Sequence, residues 1–448
     1  MNKLILITGF LLLAGGCGQQ VSRSSGPRIL GTLPSVDPLF MESEYKNCTL
    51  SNFEKPQLEI PLQLFLQGSA TQENKNFHGL FDGIYLRDPE QKSISRTIFG
   101  EQINMLKVDN GAVSNRYLVS KKNGSDVTIC PDQVYKTNSI ESAALNAAYY
   151  IHLVFKKVMP LLPEHEIKPI TLKVGSIWKY EIQQMAPGGM FIGTSYETDN
   201  ALYEAASHTI TFLPHSRSKK AYLYPMNFWS IPMVAAHEYG HHIFHTLSPQ
   251  TDSSLHLSGC FHPIVEINKP DANIKNMDVE HSLNEGFADL IAFYALPANE
   301  RGVQGINDLD KDRDVSSAQF SGLKAEKTYN EHVLRGFFNS SSAPIDHLRY
   351  RSPHLFGAVF AHRVDFFLSS LDATEDQRLE IVLDWAREFG QRKPGMSGLD
   401  PRAFLEASLA MMVESGIKRM NKTLDAKVCK EVTRFYPAFN SSFAECQQ

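Results

Sequence analysis

The spacing of apolar and polar positions along the chain changes once, near residue 138. Before that point, short apolar runs alternate with turn residues. The clearest strand candidates are Leu58–Leu64, Gly83–Leu86 and Val127–Cys130. Pro61 restricts the first of them to a sheet edge, because proline has no backbone N–H to donate. The pattern predicts a small β-rich N-terminal domain over residues 41–135.

From residue 138 onward, apolar residues recur at helical spacing. Asn138 can cap a first helix, with Glu141 as its reciprocal partner three residues later. Strand-like residues return at Thr209–Leu213, and helical patterns dominate the rest. We therefore divide this part of the chain into three regions: 136–248, a mainly helical 249–420, and a C-terminal tail at 421–448.

The first residues are typical of a targeting signal and do not belong to the fold. Lys3 precedes the apolar run Leu4–Leu13, which is too short to span a bilayer, and residues 1–16 have the character of a secretory signal. The sequence Ala14-Gly15-Gly16-Cys17 resembles the lipobox of bacterial lipoproteins. That resemblance implies that Cys17 is lipidated and anchors the chain to a membrane. The alternative is an ordinary cleaved signal in which Cys17 occurs by chance.

The residues after Cys17 indicate a flexible linker to the folded part and the membrane to which the lipoprotein is sorted. Residues 17–40 are rich in Gly, Ser, Gln and Pro, a composition typical of a flexible linker. Gly18 stands where an aspartate would indicate retention at the inner membrane, so we expect an exported lipoprotein of the outer membrane.

Composition and charge narrow the classes of function. The chain is 42% hydrophobic and 21% charged, within the range of globular proteins. Its formal net charge is -5 and it has no basic block. A nucleic-acid binder neutralises phosphates with clustered cations, so nucleic acid is not an expected partner. After residue 16, no apolar run approaches the roughly 20 residues of a spanning helix.

The cysteines leave several pairings open. Five remain beyond Cys17, and export permits disulfides. Cys429 with Cys446 and Cys48 with Cys130 are plausible pairs. Because five is odd, at least one thiol stays free or pairs with another molecule, and the connectivity cannot be read from the sequence.

The chemistry-bearing motif lies at residues 237–241. His237 and His241 are four apart, so on a helix both rings reach one side and can bind a single metal ion. Glu238, next to the first ligand, can take a proton from a metal-bound water. Pro232 at the start and Pro249 after the end give this helix credible limits. The alternative is a surface helix with incidental histidines, since the segment is His-rich.

A second segment supplies the remaining ligand of a three-residue site. Catalytic zinc takes three protein ligands, and Glu285 is the candidate for the third. Asp289, one turn later, can accept the outward N–H of a ligand histidine. Two alternatives stay open. Ser282 through Glu285 also fits a capping box at a helix start, and His281 is a rival ligand on the same face.

With these residues, the chain resembles the gluzincins, the thermolysin-like zinc metallopeptidases that include fungalysin, over about residues 138–371. The resemblance implies Zn²⁺ held by His237, His241 and Glu285, with Glu238 as general base and Asp289 behind the ligands. It also implies an α+β, gluzincin-like two-lobed catalytic domain. Its first lobe carries the His237 helix, its second carries Glu285, and the cleft lies between them.

The same resemblance implies further site residues. Asn200-Ala201 looks like the family segment that binds substrate backbone at a strand edge, although an ordinary turn fits as well. For the donor that stabilises the oxyanion, His354 is the first candidate and Tyr350 the second. For His354, a cap or a surface position is the plain alternative.

Acidic residues at alternate positions of 308–314 are typical of a calcium loop. Arg313 replaces the expected glycine and Gln319 the expected bidentate glutamate, so a solvated loop is favoured over calcium binding.

The sequence thus predicts a lipid-anchored zinc peptidase that cleaves peptides or proteins internally. One alternative is a non-catalytic surface lipoprotein with a structural or vestigial metal site. The other is a zinc hydrolase of a different kind, acting on peptidoglycan peptides or as an aminopeptidase.

Overall fold

The structure of the 448-residue chain is a computed structural model. The residues that it describes are 29–32, 60–65, 72–77, 85–86, 96–98, 101–103, 106–109, 117–120, 126–129, 147, 150–151, 153–162, 170–174, 178–186, 189–197, 200–213, 231–249, 274–298, 301, 315, 329, 331–338, 352–436, 439 and 443–447.

The described part of the chain is an α+β structure with its strands in the first half and its long helices in the second. Strands form where the sequence predicts them: Ile60–Phe65, Tyr85–Leu86 and Asp126–Ile129 overlap the three candidate runs. The strands are Ile29–Thr32, Ile60–Phe65, Gln72–Phe77, Tyr85–Leu86, Arg96–Ile98, Glu101–Ile103, Leu106–Asp109, Tyr117–Ser120, Asp126–Ile129, Thr171–Val174, Trp178–Ala186, Gly189–Glu197, Ala201–Glu204 and Thr209–Phe212.

A five-stranded sheet lies next to the candidate site. Its order is Ala201–Glu204, Thr209–Phe212, Thr171–Val174, Leu106–Asp109, Tyr85–Leu86. The first two strands form an antiparallel pair, and the second and third are parallel. The sheet therefore joins strands from both sides of the predicted boundary at residue 135.

A three-stranded sheet includes part of the predicted tether. The strands Trp178–Ala186 and Gly189–Glu197 form a long antiparallel hairpin, and Ile29–Thr32 pairs in parallel with the second of them. These four residues thus form a strand that pairs with the hairpin, which their own composition does not reveal. The remaining residues of the predicted linker over 17–40 lie outside the described residues.

Helices make up most of the second half. Residues 147, 150, 151 and 153–158 are helical, as predicted for this stretch, and the capping residue Asn138 lies outside the described residues. The further α-helices are Pro232–Leu247, Asn276–Ala295, Glu331–Phe338, Pro353–Ser370, Glu375–Arg392, Pro401–Arg419 and Ala426–Phe435. None of the helices in the described part is both long and apolar enough to cross a bilayer.

Three of these helices carry the candidate site: the HExxH helix (Pro232–Leu247), the Glu285 helix (Asn276–Ala295) and the His354 helix (Pro353–Ser370). The HExxH helix begins at Pro232 and ends just before Ser248 and Pro249, as predicted. Proline fits the first turn because the backbone N–H that it lacks would have no partner within the helix there.

The Glu285 helix begins nine residues before Glu285. At its start, the Asp278 carboxylate accepts a hydrogen bond of 2.7 Å from the Lys275 backbone N–H. Glu285 therefore lies in the helix interior, and the alternative of a capping box at Ser282–Glu285 is wrong.

The three site helices cross at glycines. A Cβ on Gly240 would lie 2.7 Å from Ala288 Cα, and one on Gly286 would lie 2.3 Å from the Gly357 carbonyl oxygen. Any side chain at these points would collide with the backbone of the neighbouring helix. The missing Cβ atoms let the Glu285 helix approach the HExxH helix at Gly240 and the His354 helix at Gly286.

An aromatic cluster packs beneath the site. Phe244 of the HExxH helix lies 5.2 Å from Phe287 of the Glu285 helix, centroid to centroid. Trp385, which is fully buried, contacts both rings and also Phe360 of the His354 helix at 5.0 Å. Burying rings of this size supplies about 1.5–3 kcal/mol each, so the three helices share one core.

The C-terminal region is folded rather than a loose tail. Helix Ala426–Phe435 packs on the His354 helix, and a short 3-10 turn follows at Ala444–Gln447. Cys429 and Cys446 form a disulfide, as one of the two suggested pairings predicts. The other suggested pair, Cys48 and Cys130, lies outside the described residues.

Substituting Gly286→Ala should lower the free energy of unfolding by about 2 kcal/mol, because the new methyl overpacks a backbone contact. This is the net loss: overpacking costs about 3 kcal/mol, and the gain in helix propensity returns about 1 kcal/mol. Denaturant unfolding measures the change. Gly395→Ala is the matched control, since nothing lies within 4 Å of its Cβ position. Equal stability of the two variants would contradict the close crossing.

Candidate metal site

His237, His241 and Glu285 come together as a buried group that could hold a metal ion. One ligand atom from each lies within 4.8 Å of the other two. Glu285 Oε2 is 3.3 Å from His237 Nε2, and Glu285 Oε1 is 3.6 Å from His241 Nε2. The three residues are 7%, 8% and 3% exposed. Two helices thus supply three donors to one point, as the spacing of the motifs predicts.

Both imidazoles are oriented through their other nitrogen. His237 Nδ1 lies 2.9 Å from Asp289 Oδ1, and His241 Nδ1 lies 3.0 Å from Asn284 Oδ1. Each Nδ1 faces an oxygen that can only accept, so each carries the proton and donates it. In the neutral rings, the lone pair is then on Nε2, the atom directed at Glu285.

This proton arrangement fits a bound cation. Burial lowers the pKa of His241 to about 3, more than Glu285 raises it, so this imidazole is neutral near pH 7. Its Nε2 lone pair then faces a carboxylate oxygen, and two acceptors facing each other repel. A divalent ion shared by the two imidazoles and the carboxylate would turn that repulsion into coordination. Two imidazole nitrogens and one carboxylate are ligands that suit zinc.

Four histidines surround the Glu285 carboxylate. Besides the two ligand candidates, His354 Nδ1 lies 2.7 Å from Oε2 and His281 Nε2 lies 3.4 Å from Oε1. Burial alone raises the pKa of this carboxyl, but the surrounding imidazoles, His354 first, outweigh it. The pKa therefore lies well below its ordinary value, and the group is an anion.

The two outer histidines differ from the ligand pair in exposure. The side chain of His354 is 48% exposed and that of His281 29%, against 9% and 10% for His237 and His241. His354 lies in the first turn of its helix, so it is not a cap. Both outer residues belong to the solvent-facing rim of the site.

The other predicted site residues are placed as follows. Glu238 is buried on the HExxH helix beside His237. Asn200 and Ala201 lie at the start of the edge strand Ala201–Glu204, which packs against the HExxH helix. Tyr350, Cys17 and the acidic loop at 308–314 lie outside the described residues, so their roles stay predictions.

Asn284 is a site residue that the sequence pattern did not single out. It immediately precedes Glu285, inside the segment Ser282–Glu285 that also fits a capping box. The available signal is chemical: two ligand histidines need two oxygen acceptors behind them, and Asp289 supplies only one. An amide beside the third ligand is the natural candidate for the second.

No protein-family model matches this chain, and no curated protein or solved structure is significantly similar to it.

Substituting Asn284→Ala should weaken metal binding about 10- to 100-fold, because His241 loses the acceptor that fixes its tautomer. Competition with a chromophoric chelator, with Zn²⁺ as probe, measures the change. Asn276→Ala on the same helix is the control, since its amide donates to the Leu399 carbonyl at the helix start. Unchanged affinity in Asn284→Ala would contradict the orienting role.

Proposed function

We propose that the chain is a zinc-dependent peptidase that hydrolyses internal peptide bonds. The observation that carries the proposal is the buried set of His237, His241 and Glu285, with each imidazole fixed through Nδ1 and directed by Nε2 at the carboxylate. A site of three protein ligands on two helices leaves a coordination position for water, which is the arrangement of catalytic zinc.

Zinc in this site would polarise the scissile carbonyl and acidify a water molecule. Glu238 follows His237 on the same buried turn. Its carboxylate would act as the general base, taking a proton from the attacking water and giving it to the leaving amine. Glu285 serves as a ligand and Asp289 orients His237, so of these three buried acids Glu238 takes the role of general base.

The oxyanion donor is assigned to His354, with Tyr350 as the alternative. His354 stands at the rim of the site, half exposed, and its Nδ1 reaches the ligand Glu285. An imidazole in this position can donate a hydrogen bond to the oxygen on which charge develops. The Nδ1 contact helps hold the Glu285 carboxylate in place, so the hydrogen bond to the oxyanion falls to Nε2, which donates at the same time when both ring nitrogens are protonated.

The edge strand Ala201–Glu204 is assigned the role of binding the substrate backbone. This strand pairs with Thr209–Phe212 on one side and ends the five-stranded sheet in the described part of the chain. An extended peptide can add to such an edge through main-chain hydrogen bonds. The strand packs against the HExxH helix, so a peptide bound there would lie near the metal ligands, in a cleft between a strand-bearing lobe and a helical lobe.

The proposed enzyme is exported and anchored through a lipidated Cys17, with the outer membrane as its site. The disulfide Cys429–Cys446 supports export, because structural disulfides persist mainly in oxidising compartments. The anchor would confine cleavage to peptides and proteins that reach the membrane surface.

Substituting Glu238→Gln should reduce turnover by about 10²- to 10⁴-fold and leave the bound zinc unchanged, since only the general base is lost. Turnover is measured on an internally quenched peptide library with blocked ends, and zinc by elemental analysis. Glu414→Gln, exposed on helix Pro401–Arg419, is the matched control.

Three outcomes would contradict the proposal. Zinc-loaded protein without turnover would favour a non-catalytic lipoprotein, and cleavage only of peptides with free amino ends would indicate an aminopeptidase. Full activity of Glu238→Gln would remove the assigned base.

A further inference from the structure

A second group of imidazoles lies beside the metal ligands and is centred on a tyrosine. The hydroxyl of Tyr203 is 3.2 Å from His208 Nδ1, 3.1 Å from His242 Nδ1 and 3.2 Å from His245 Nδ1. We name these four residues the Tyr203 cluster. Tyr203 belongs to the edge strand, His208 to the turn that follows it, and the other two histidines to the HExxH helix.

The hydroxyl can satisfy all three imidazoles at once. A phenol donates one hydrogen bond and accepts two, so one Nδ1 accepts its proton while the other two donate to its oxygen. Burial, and then the nearby Tyr239, raise the pKa of the Tyr203 phenol well above its ordinary value, so the hydroxyl keeps its proton. Its contacts are therefore those of a neutral hydrogen-bonding group.

The cluster is a set of hydrogen bonds to one hydroxyl. In the described part of the chain, the group whose ligand atoms all lie within 4.8 Å of one another is His237, His241 and Glu285, and it includes none of the three cluster histidines. The rings also pack together: the His208 centroid lies 5.5 Å from that of His242 and 5.4 Å from that of His245.

The cluster connects the edge strand to the helix that carries two metal ligands. His242 is fully buried, so the strand is held from inside the fold. The turn is held at the same point by the contact between His208 Nδ1 and the Tyr203 hydroxyl. His208 also has left-handed backbone angles (φ 49°), which a residue with a Cβ rarely adopts. Strand, turn and helix therefore meet at one hydroxyl.

We propose that Tyr203 is a positioning residue that sets the distance between an extended substrate and the metal. Its hydroxyl fixes the Ala201–Glu204 strand on the HExxH helix, so a peptide paired with that strand is held in register with the ligands His237 and His241. This inference rests on the proposed function and deepens it. It implies a preference for substrates long enough to pair with the strand.

The test compares Tyr203→Phe with wild type on two quenched substrates, one of about eight residues and one blocked dipeptide too short to pair with the strand. For the long substrate, KM should rise about tenfold with kcat little changed, because binding shared by ground state and transition state is lost. For the dipeptide, kcat/KM should stay the same. Tyr294→Phe is the matched control, since it removes a buried hydroxyl that donates to Asp365 at 2.8 Å.

Amide hydrogen exchange provides a readout that does not need activity. Tyr203→Phe should speed exchange in residues 201–212 and leave the Glu285 helix unchanged. If wild type cleaves neither substrate, the proposed function fails and the substrate part of this inference with it, while faster exchange would still show the anchoring. Unchanged exchange would overturn the anchoring. Equal loss on both substrates, or a second zinc per chain that Tyr203→Phe releases, would overturn the positioning role.

Discussion

The candidate site depends on how closely three helix backbones approach one another. The Glu285 helix lies between the HExxH helix and the His354 helix, with Gly240 at the first crossing and Gly286 against Gly357 at the second. Interiors pack at near-crystalline density, so an extra methyl at a crossing would move a whole helix. Such a shift would separate the Glu285 carboxylate from the imidazoles on the neighbouring helix.

The HExxH helix uses its histidines on two faces. At about 100° per residue, His237 and His241 lie close together on one side, whereas His242 and His245 lie further around the helix. The first pair faces Glu285, and the second pair faces the Tyr203 hydroxyl. One helix is thereby connected both to the ligand-bearing helix and to the strand assigned to substrate. The many histidines of this segment made the metal motif less specific in the sequence. In the structure, one pair faces Glu285 and the other pair contacts the Tyr203 hydroxyl.

Features set by spacing within one or two helical turns were predictable from the sequence, and those set by distant contacts were not. The four-residue spacing of His237 and His241 predicted the metal group. The four-residue spacing of Glu285 and Asp289 predicted that Asp289 lies behind the ligands. The true start of the Glu285 helix, at Asn276, has no local signal of this kind, since the residue before it is Lys275 and not a standard capping residue. The Tyr203 cluster and the five-stranded sheet depend on pairings across many residues, which no local pattern encodes. Asn284 could have been predicted from the sequence, because the ligand His241 needs an oxygen acceptor for its Nδ1–H.

The most direct measurement is zinc-edge X-ray absorption of the metal-loaded protein, compared with the Glu285→Gln variant. We expect one zinc per chain with two imidazole nitrogens and one or two oxygens at about 2.0–2.2 Å. In the variant, the oxygen shell and the metal affinity should both decrease. A zinc bound by three or four imidazoles, with His281 or His354 in place of Glu285, would contradict the assigned ligand set. Retention of an unchanged spectrum in the variant would contradict it as well.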